Sequence, residues 1–145
     1  MPSIGYRTAE AARAVRVPLR RGVVIQLVFC LTRRPHLTRE AFLHRWLDVH
    51  GPLVREHAAA LGIRRYAQVH TLPPGAFARL AASRGGPVAY DGVAELWFES
   101  IEAMQAAAAT PEGRRAGRAL LEDEREFIEL KSSPIWLGEP HVLVG

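Results

Sequence analysis

The chain has 145 residues, 48% apolar and 23% charged, enough for one domain with a real core. Its single cysteine, Cys30, excludes an internal disulfide framework, and the lack of an apolar run longer than Val23–Leu31 excludes a membrane span. The net charge of +4 does not point to nucleic acid: residues 1–22 carry five arginines and one acid, and the other 14 cations and 14 acids cancel. No signal peptide is legible, and the expectation is a cytoplasmic protein without nucleic-acid or membrane partners.

Residues 1–22 read as a basic N-terminal extension, with weak helical character around Thr8–Val17 that ends at Pro18, and residues 23–145 as the domain. Val23–Thr32 is dense in β-branched and aromatic residues and reads as a buried strand. Arg33-Arg34-Pro35-His36 ends it, and Thr38 is placed to cap a helix. In that helix Leu43, Leu47, His50, Val54, His57 and Leu61 recur at steps of three and four, with Phe42, Trp46, Val49 and Leu53 as an adjoining stripe. Gly51-Pro52 predicts a kink or restart, because proline lacks an N–H and crowds the preceding turn. Gly62 suits a left-handed cap.

Arg64–Thr71 alternates as a second strand, and Leu72–Pro87 is a loop with a short helix near Ala76–Ala82. Asp91–Phe98 is a third strand. Ser100 caps a helix over Ile101–Ala109, and Thr110-Pro111 restarts it as far as about Leu130. Ile135–Leu137 and His141–Val144 make a bent last strand. The order β-α-β-β-α-β predicts a ferredoxin-like α+β fold with a four-stranded antiparallel sheet and both main helices on one face.

Strict alternation divides the strands into two sets. Val23, Ile25, Leu27, Phe29 and Leu31, with Ala67, Val69, Ala94, Leu96 and Phe98, are wholly apolar and are assigned to the helix side. Val24, Gln26, Val28 and Cys30, with Tyr66, Gln68, His70, Val93, Glu95 and Trp97, are too apolar for water and too polar for a dry core. That second set predicts a homodimer interface that also encloses a pocket for a hydrophobic small molecule.

Several residues have types suited to chemistry. His50 adjoins the Gly-Pro irregularity and titrates near neutrality; it reads as a proton-transfer group or as a packed histidine. Tyr66 and His70 flank Gln68 on one strand face, as a hydrogen-bond donor and proton carrier or as an interface pair. Glu95, between Val93 and Trp97, is a desolvated acid or base, or the partner of an arginine such as Arg65. Gln26, Trp46, Gln68, Trp97 and Phe127 are candidate ligand contacts or walls, and Cys30 a buried thiol. His50 and His57 stand seven residues apart, ~10 Å along a helix, too far to share one zinc ion, so no metal is expected.

The segments Leu31-Thr32-Arg33-Arg34-Pro35, Leu37-Thr38-x-x-x-Phe42, Trp46-x-x-x-His50-Gly51-Pro52-Leu53-Val54, Arg65-Tyr66-x-Gln68-x-His70, Tyr90–Phe98 and Asp123-Glu124-x-x-Phe127 together resemble the EthD family. The resemblance spans about residues 23–144. It implies a dimeric α+β barrel, a fold shared with muconolactone-type isomerases, aromatic polyketide cyclases and decarboxylases, and haem-handling enzymes. The reading it supports is an isomerase, cyclase or decarboxylase type of enzyme. It would move protons without a cofactor on an aromatic, quinonoid or lactone-like molecule, with His50, His70, Tyr66 and Glu95 as catalytic candidates. The alternatives are an accessory protein that binds a hydrophobic intermediate, and a haem-binding oxygenase with His50 or His57 as axial ligand.

Overall fold

A computed structural model describes residues 22–145, so the basic extension, Gly22 apart, lies outside the described residues. Strands β1 (Ile25–Leu31), β2 (Ile63–His70), β3 (Gly92–Phe98) and β4 (Ile135–Gly138) form one antiparallel sheet in the order β2-β3-β1-β4. With the main helices between β1 and β2 and between β3 and β4, this is the ferredoxin-like α+β fold. No helix among the described residues is long and apolar enough to cross a membrane.

The first helical segment begins where Thr38 accepts a hydrogen bond from the Ala41 amide at 3.1 Å and ends at Gly62, whose φ of 71° closes it with a left-handed cap. Between α1 (Arg39–His44) and α2 (Gly51–Leu61) lies a π-helical stretch, Arg45–His50. The expected kink at Gly51-Pro52 is therefore a wide turn: Gly51 N–H reaches the Trp46 carbonyl, five residues back, and the backbone stays helical. Pro52 has no N–H and crowds the carbonyl four residues before it, and the wider turn accommodates both without breaking the axis. The buried stripe changes accordingly. In an α-helix each step of four overshoots a full turn by ~40°, but the π turn keeps Phe42, Trp46, His50 and Val54 on one inward face, all buried. Leu47, expected on the buried face, is 54% exposed.

A second correction concerns β2. Ile63 faces Phe98, yet Arg65 faces Trp97, so Arg64 is an extra residue in the ladder. A bulge of one residue reverses the alternation beyond it. Tyr66, Gln68 and His70 consequently lie opposite Leu96, Ala94 and Gly92 on the helix side, whereas Ala67 and Val69 lie opposite Glu95 and Val93 on the helix-free face. Gln26, Glu95 and Trp97 remain on that outer face, as expected.

Smaller differences have local causes. Helix α4 (Ile101–Ala109) and helix α5 (Pro111–Phe127) are capped by Ser100 and Thr110, but α5 stops short of Leu130 because Ile128 turns extended and bridges to Arg33. Residues 141–144 are not part of β4, which ends before Pro140. The loop after β2 holds a 3-10 turn, Pro74–Ala76, and a short helix α3 (Ala78–Arg84) that buries nothing.

The core gathers Phe29, Leu31, Phe42, Trp46, Ala94, Phe127 and Ile128. Trp46 lies against the backbone of Gly92: a Cβ on Gly92 would sit 2.4 Å from the indole Cζ3 and 2.8 Å from the Val69 carbonyl oxygen. Neither neighbour has room to move, since Trp46 is 1% exposed and the carbonyl is sheet backbone. Gly92→Ala should destabilise the fold by about 1–3 kcal/mol, read as a lower urea midpoint in chemical denaturation.

Candidate active site

Between the helix side of the sheet and helices α2, α4 and α5 is a cavity of about 400 Å³. Leu27, Phe29, Leu96 and Phe98 supply its floor, and Val54, Met104 and Leu120 much of its helical wall. Among the residues that line this apolar space, four have side chains with polar groups: Trp46, His50, Tyr66 and Glu124.

His50 comes from the end of the π turn and Asp123 from the last turns of α5. His50 Nδ1 meets Asp123 Oδ2 at 2.8 Å, and Arg45 holds the other carboxylate oxygen. Burial opposes the Asp123 charge, but the hydrogen bonds from Arg45 and His50 outweigh it and bring the carboxyl below its ordinary range. Burial dominates at His50 and lowers its pKa despite the neighbouring carboxylate. The pair at neutral pH is thus an aspartate and a neutral imidazole. Nδ1–H donates to Asp123, which leaves the Nε2 lone pair without a partner among the described residues. Phe127 packs on the imidazole at 5.1 Å between ring centroids and fixes its plane.

Glu124, the next residue of α5, behaves oppositely. Desolvation, and then the charge of Asp123, push its carboxyl up to about 7. Two carboxyls adjacent in sequence are held in different protonation states, an arrangement associated with divided acid and base roles.

The third element is a hydrogen-bonded chain along β2. Tyr66 Oη is 2.8 Å from Gln68 Nε2, and Gln68 Oε1 is 2.8 Å from His70 Nε2. Gln68 Nε2 also donates to the Trp46 carbonyl at 2.9 Å, and the His70 ring stacks on the Trp46 indole with centroids 4.7 Å apart. Burial raises the Tyr66 pKa, so the phenol keeps its proton; burial followed by the charge of Arg39 lowers that of His70.

The EthD domain profile matches residues 34–131, about two thirds of the sequence and every segment that builds this cavity except β1 and β4. The chain belongs to the EthD family. Among solved structures, an ethyl tert-butyl ether D family protein from Bacillus halodurans is 22% identical with a TM-score of 0.55, covering 81% of this chain and 99% of its own. A dimeric ferredoxin-like protein of unknown function from Thermobifida fusca is 12% identical at a TM-score of 0.53, covering 86% and 97%. SnoaB, a cofactor-independent oxygenase from Streptomyces nogalater, is 15% identical at 0.50, covering 84% and 97%. At such identities the likeness establishes the fold. No curated protein matches the chain.

In this EthD chain the structure gathers some of the sequence candidates and scatters others. His50, Tyr66 and Trp46 line the cavity. Gln68 and His70 do not line the cavity; with Tyr66, which borders both spaces, they line an open groove between α2 and β2. Phe127 lies behind His50, fully buried in the core. Glu95, Gln26 and Trp97 are on the helix-free face, away from the cavity; Arg65 stacks over the Trp97 ring at 4.7 Å instead of pairing with Glu95. His57 does not line the cavity. Asp123 and Glu124 went unassigned in the sequence, although Asp123-Glu124-x-x-Phe127 is one of the segments that carry the family resemblance. The available signal was adjacent acids one helical turn before a buried phenylalanine. Among the described residues no group of three or more His, Cys, Asp and Glu could hold a metal ion.

The Glu124 shift has a consequence for stability. The folded protein keeps a proton up to about pH 7 that an ordinary glutamate releases near 4.5. Folded stability must then decline as pH rises between those values. Glu124→Gln should remove that decline, leaving the variant about 1–3 kcal/mol more stable relative to wild type at pH 8 than at pH 5 in urea denaturation.

Proposed function

We propose that this EthD protein is a cofactor-independent proton-transfer enzyme for an aromatic, quinonoid or lactone-like molecule. The observation that carries the reading is that His50, held by Asp123, lines the same apolar cavity as Glu124, whose carboxyl is pushed up to about 7. Asp123 orients the imidazole and stabilises the imidazolium formed when Nε2 takes a proton from a carbon beside a carbonyl. Tyr66 donates a hydrogen bond to the oxygen on which charge develops, and Glu124, which keeps its proton up to about pH 7, returns a proton. Isomerisation, cyclisation and decarboxylation all use these steps. SnoaB, described as cofactor-independent, occupies the same fold, so the fold accommodates chemistry of this economy.

The probe is 2-tetralone, an aromatic ketone with acidic hydrogens beside its carbonyl. Exchange of those hydrogens in D2O, followed by NMR, should exceed the buffer rate. It should rise with pH as His50 deprotonates below 6.5 and fall as Glu124 ionises around 7. His50→Ala should reduce exchange about 10²-fold while the melting temperature and ketone binding persist. Binding without accelerated exchange would instead establish a carrier of hydrophobic intermediates, and a His50→Ala variant that exchanges normally would remove the base.

The active assembly we propose is a homodimer closed through the helix-free face, which completes an α+β barrel. Val28, Val69, Val93, Trp97 and Trp136 leave there an apolar surface, with Trp136 48% exposed, around Glu95. Similar solved structures are described as dimeric. Light scattering should give twice the 16.0 kDa chain mass, and a well-folded monomer at micromolar concentration would contradict the assembly.

A further inference from the structure

Gln68 is held among three groups that leave its amide one direction. The Trp46 carbonyl oxygen, 2.9 Å from Nε2, can only accept, so the NH2 end must face it; turned over, the amide would set two carbonyl oxygens against each other. The second N–H of that NH2 goes to the Tyr66 hydroxyl oxygen at 2.8 Å. Oε1 then faces His70 Nε2 at 2.8 Å, and since a carbonyl oxygen only accepts, that nitrogen carries a hydrogen. The polarity therefore runs one way, from His70 to Gln68 to Tyr66. The Tyr66 oxygen is used as an acceptor inside the protein, from Gln68 and also from the Trp46 side chain, whose indole can only donate, while its own hydrogen has no acceptor among the described residues.

The anchor of this arrangement is backbone. In an α-helix the Trp46 carbonyl would accept from His50; the π turn transfers that bond to Gly51 N–H, and the same oxygen receives Gln68 from the neighbouring strand. Gln68 reaches it only because the Arg64 bulge turns Tyr66, Gln68 and His70 toward the helices.

We propose that Gln68 is a positioning residue that makes Tyr66 an obligate hydrogen-bond donor to the cavity, so that the site selects molecules presenting an acceptor oxygen, such as a ketone, quinone, lactone carbonyl or phenolate, over the same skeleton without it. This deepens the enzymatic reading and rests on the cavity being the ligand site. Gln68 itself touches no substrate; it acts through Tyr66.

Calorimetric titration with two ligand pairs tests the polarity. 2-Tetralone and tetralin share a skeleton and differ by one acceptor oxygen; indole and indene differ by one N–H donor. Wild type should bind 2-tetralone about five- to tenfold more tightly than tetralin, the contribution of one hydrogen bond between neutral groups. Tyr66→Phe should abolish most of that preference. Gln68→Met, similar in volume but without hydrogen-bonding groups, should lower the ketone preference several-fold and raise the preference for indole over indene, because one of the two donors that occupy the Tyr66 oxygen is removed. Combining Tyr66→Phe with Gln68→Met should add nothing further to the loss of ketone preference. If Gln68→Met shifts the melting temperature but neither ratio, Gln68 is only structural and the proposal falls, with the cavity reading intact. If neither skeleton binds wild type, the proposal and the cavity reading fall together.

Discussion

The seating of Trp46 between helix and sheet is the constraint to which the rest of the site is referred. Its indole is buried against the bare backbone of Gly92 and stacks on His70, and its carbonyl receives both Gly51 N–H and Gln68 Nε2. One residue thereby joins the π turn to β2 and β3. A side chain on Gly92 or an unbroken α-helical hydrogen-bond pattern at Trp46 would each separate the parts. The wide turn that serves this contact also brings His50 to the inward face, where α5 can meet it.

The electrostatics follow from which neighbours α5 meets. Asp123 gains Arg45 and His50, so its charge is retained despite burial. Glu124 gains no cation, borders apolar walls and feels the charge of Asp123, so it resists ionisation. The same burial that neutralises Glu124 neutralises His50 and keeps Tyr66 protonated. Just below pH 7 the cavity is therefore lined by an uncharged imidazole, a largely protonated carboxyl and a phenol, which suits an uncharged molecule better than an ion.

The two faces of the sheet divide the work. The cavity lies on the helix side, and the exposed tryptophan and valines are on the other. A dimer closed through the outer face would support the cavity floor from behind without obstructing it, because β1 and β3 contribute to both surfaces through alternate residues.

Element order, the Thr38, Ser100 and Thr110 caps, the Gly62 stop and the ferredoxin-like topology were legible in the sequence, because capping and strand patterning are local properties. That His50 sits at a helical irregularity was legible from its place beside Gly51-Pro52. The bulge at Arg64 was not, since an extra residue in a ladder is defined only by the register of the partner strand, and missing it assigned Tyr66, Gln68 and His70 to the wrong face. The π turn was hidden for a related reason: proline announces an irregularity, but packing against Gly92 and β2 decides whether the helix breaks or widens. Asp123 and Glu124 look alike in the sequence. Only the fold, by setting Arg45 and His50 against one and an apolar cavity against the other, gave them different charges, because a carboxyl's ionisation depends on its surroundings in space and not on its neighbours in the chain.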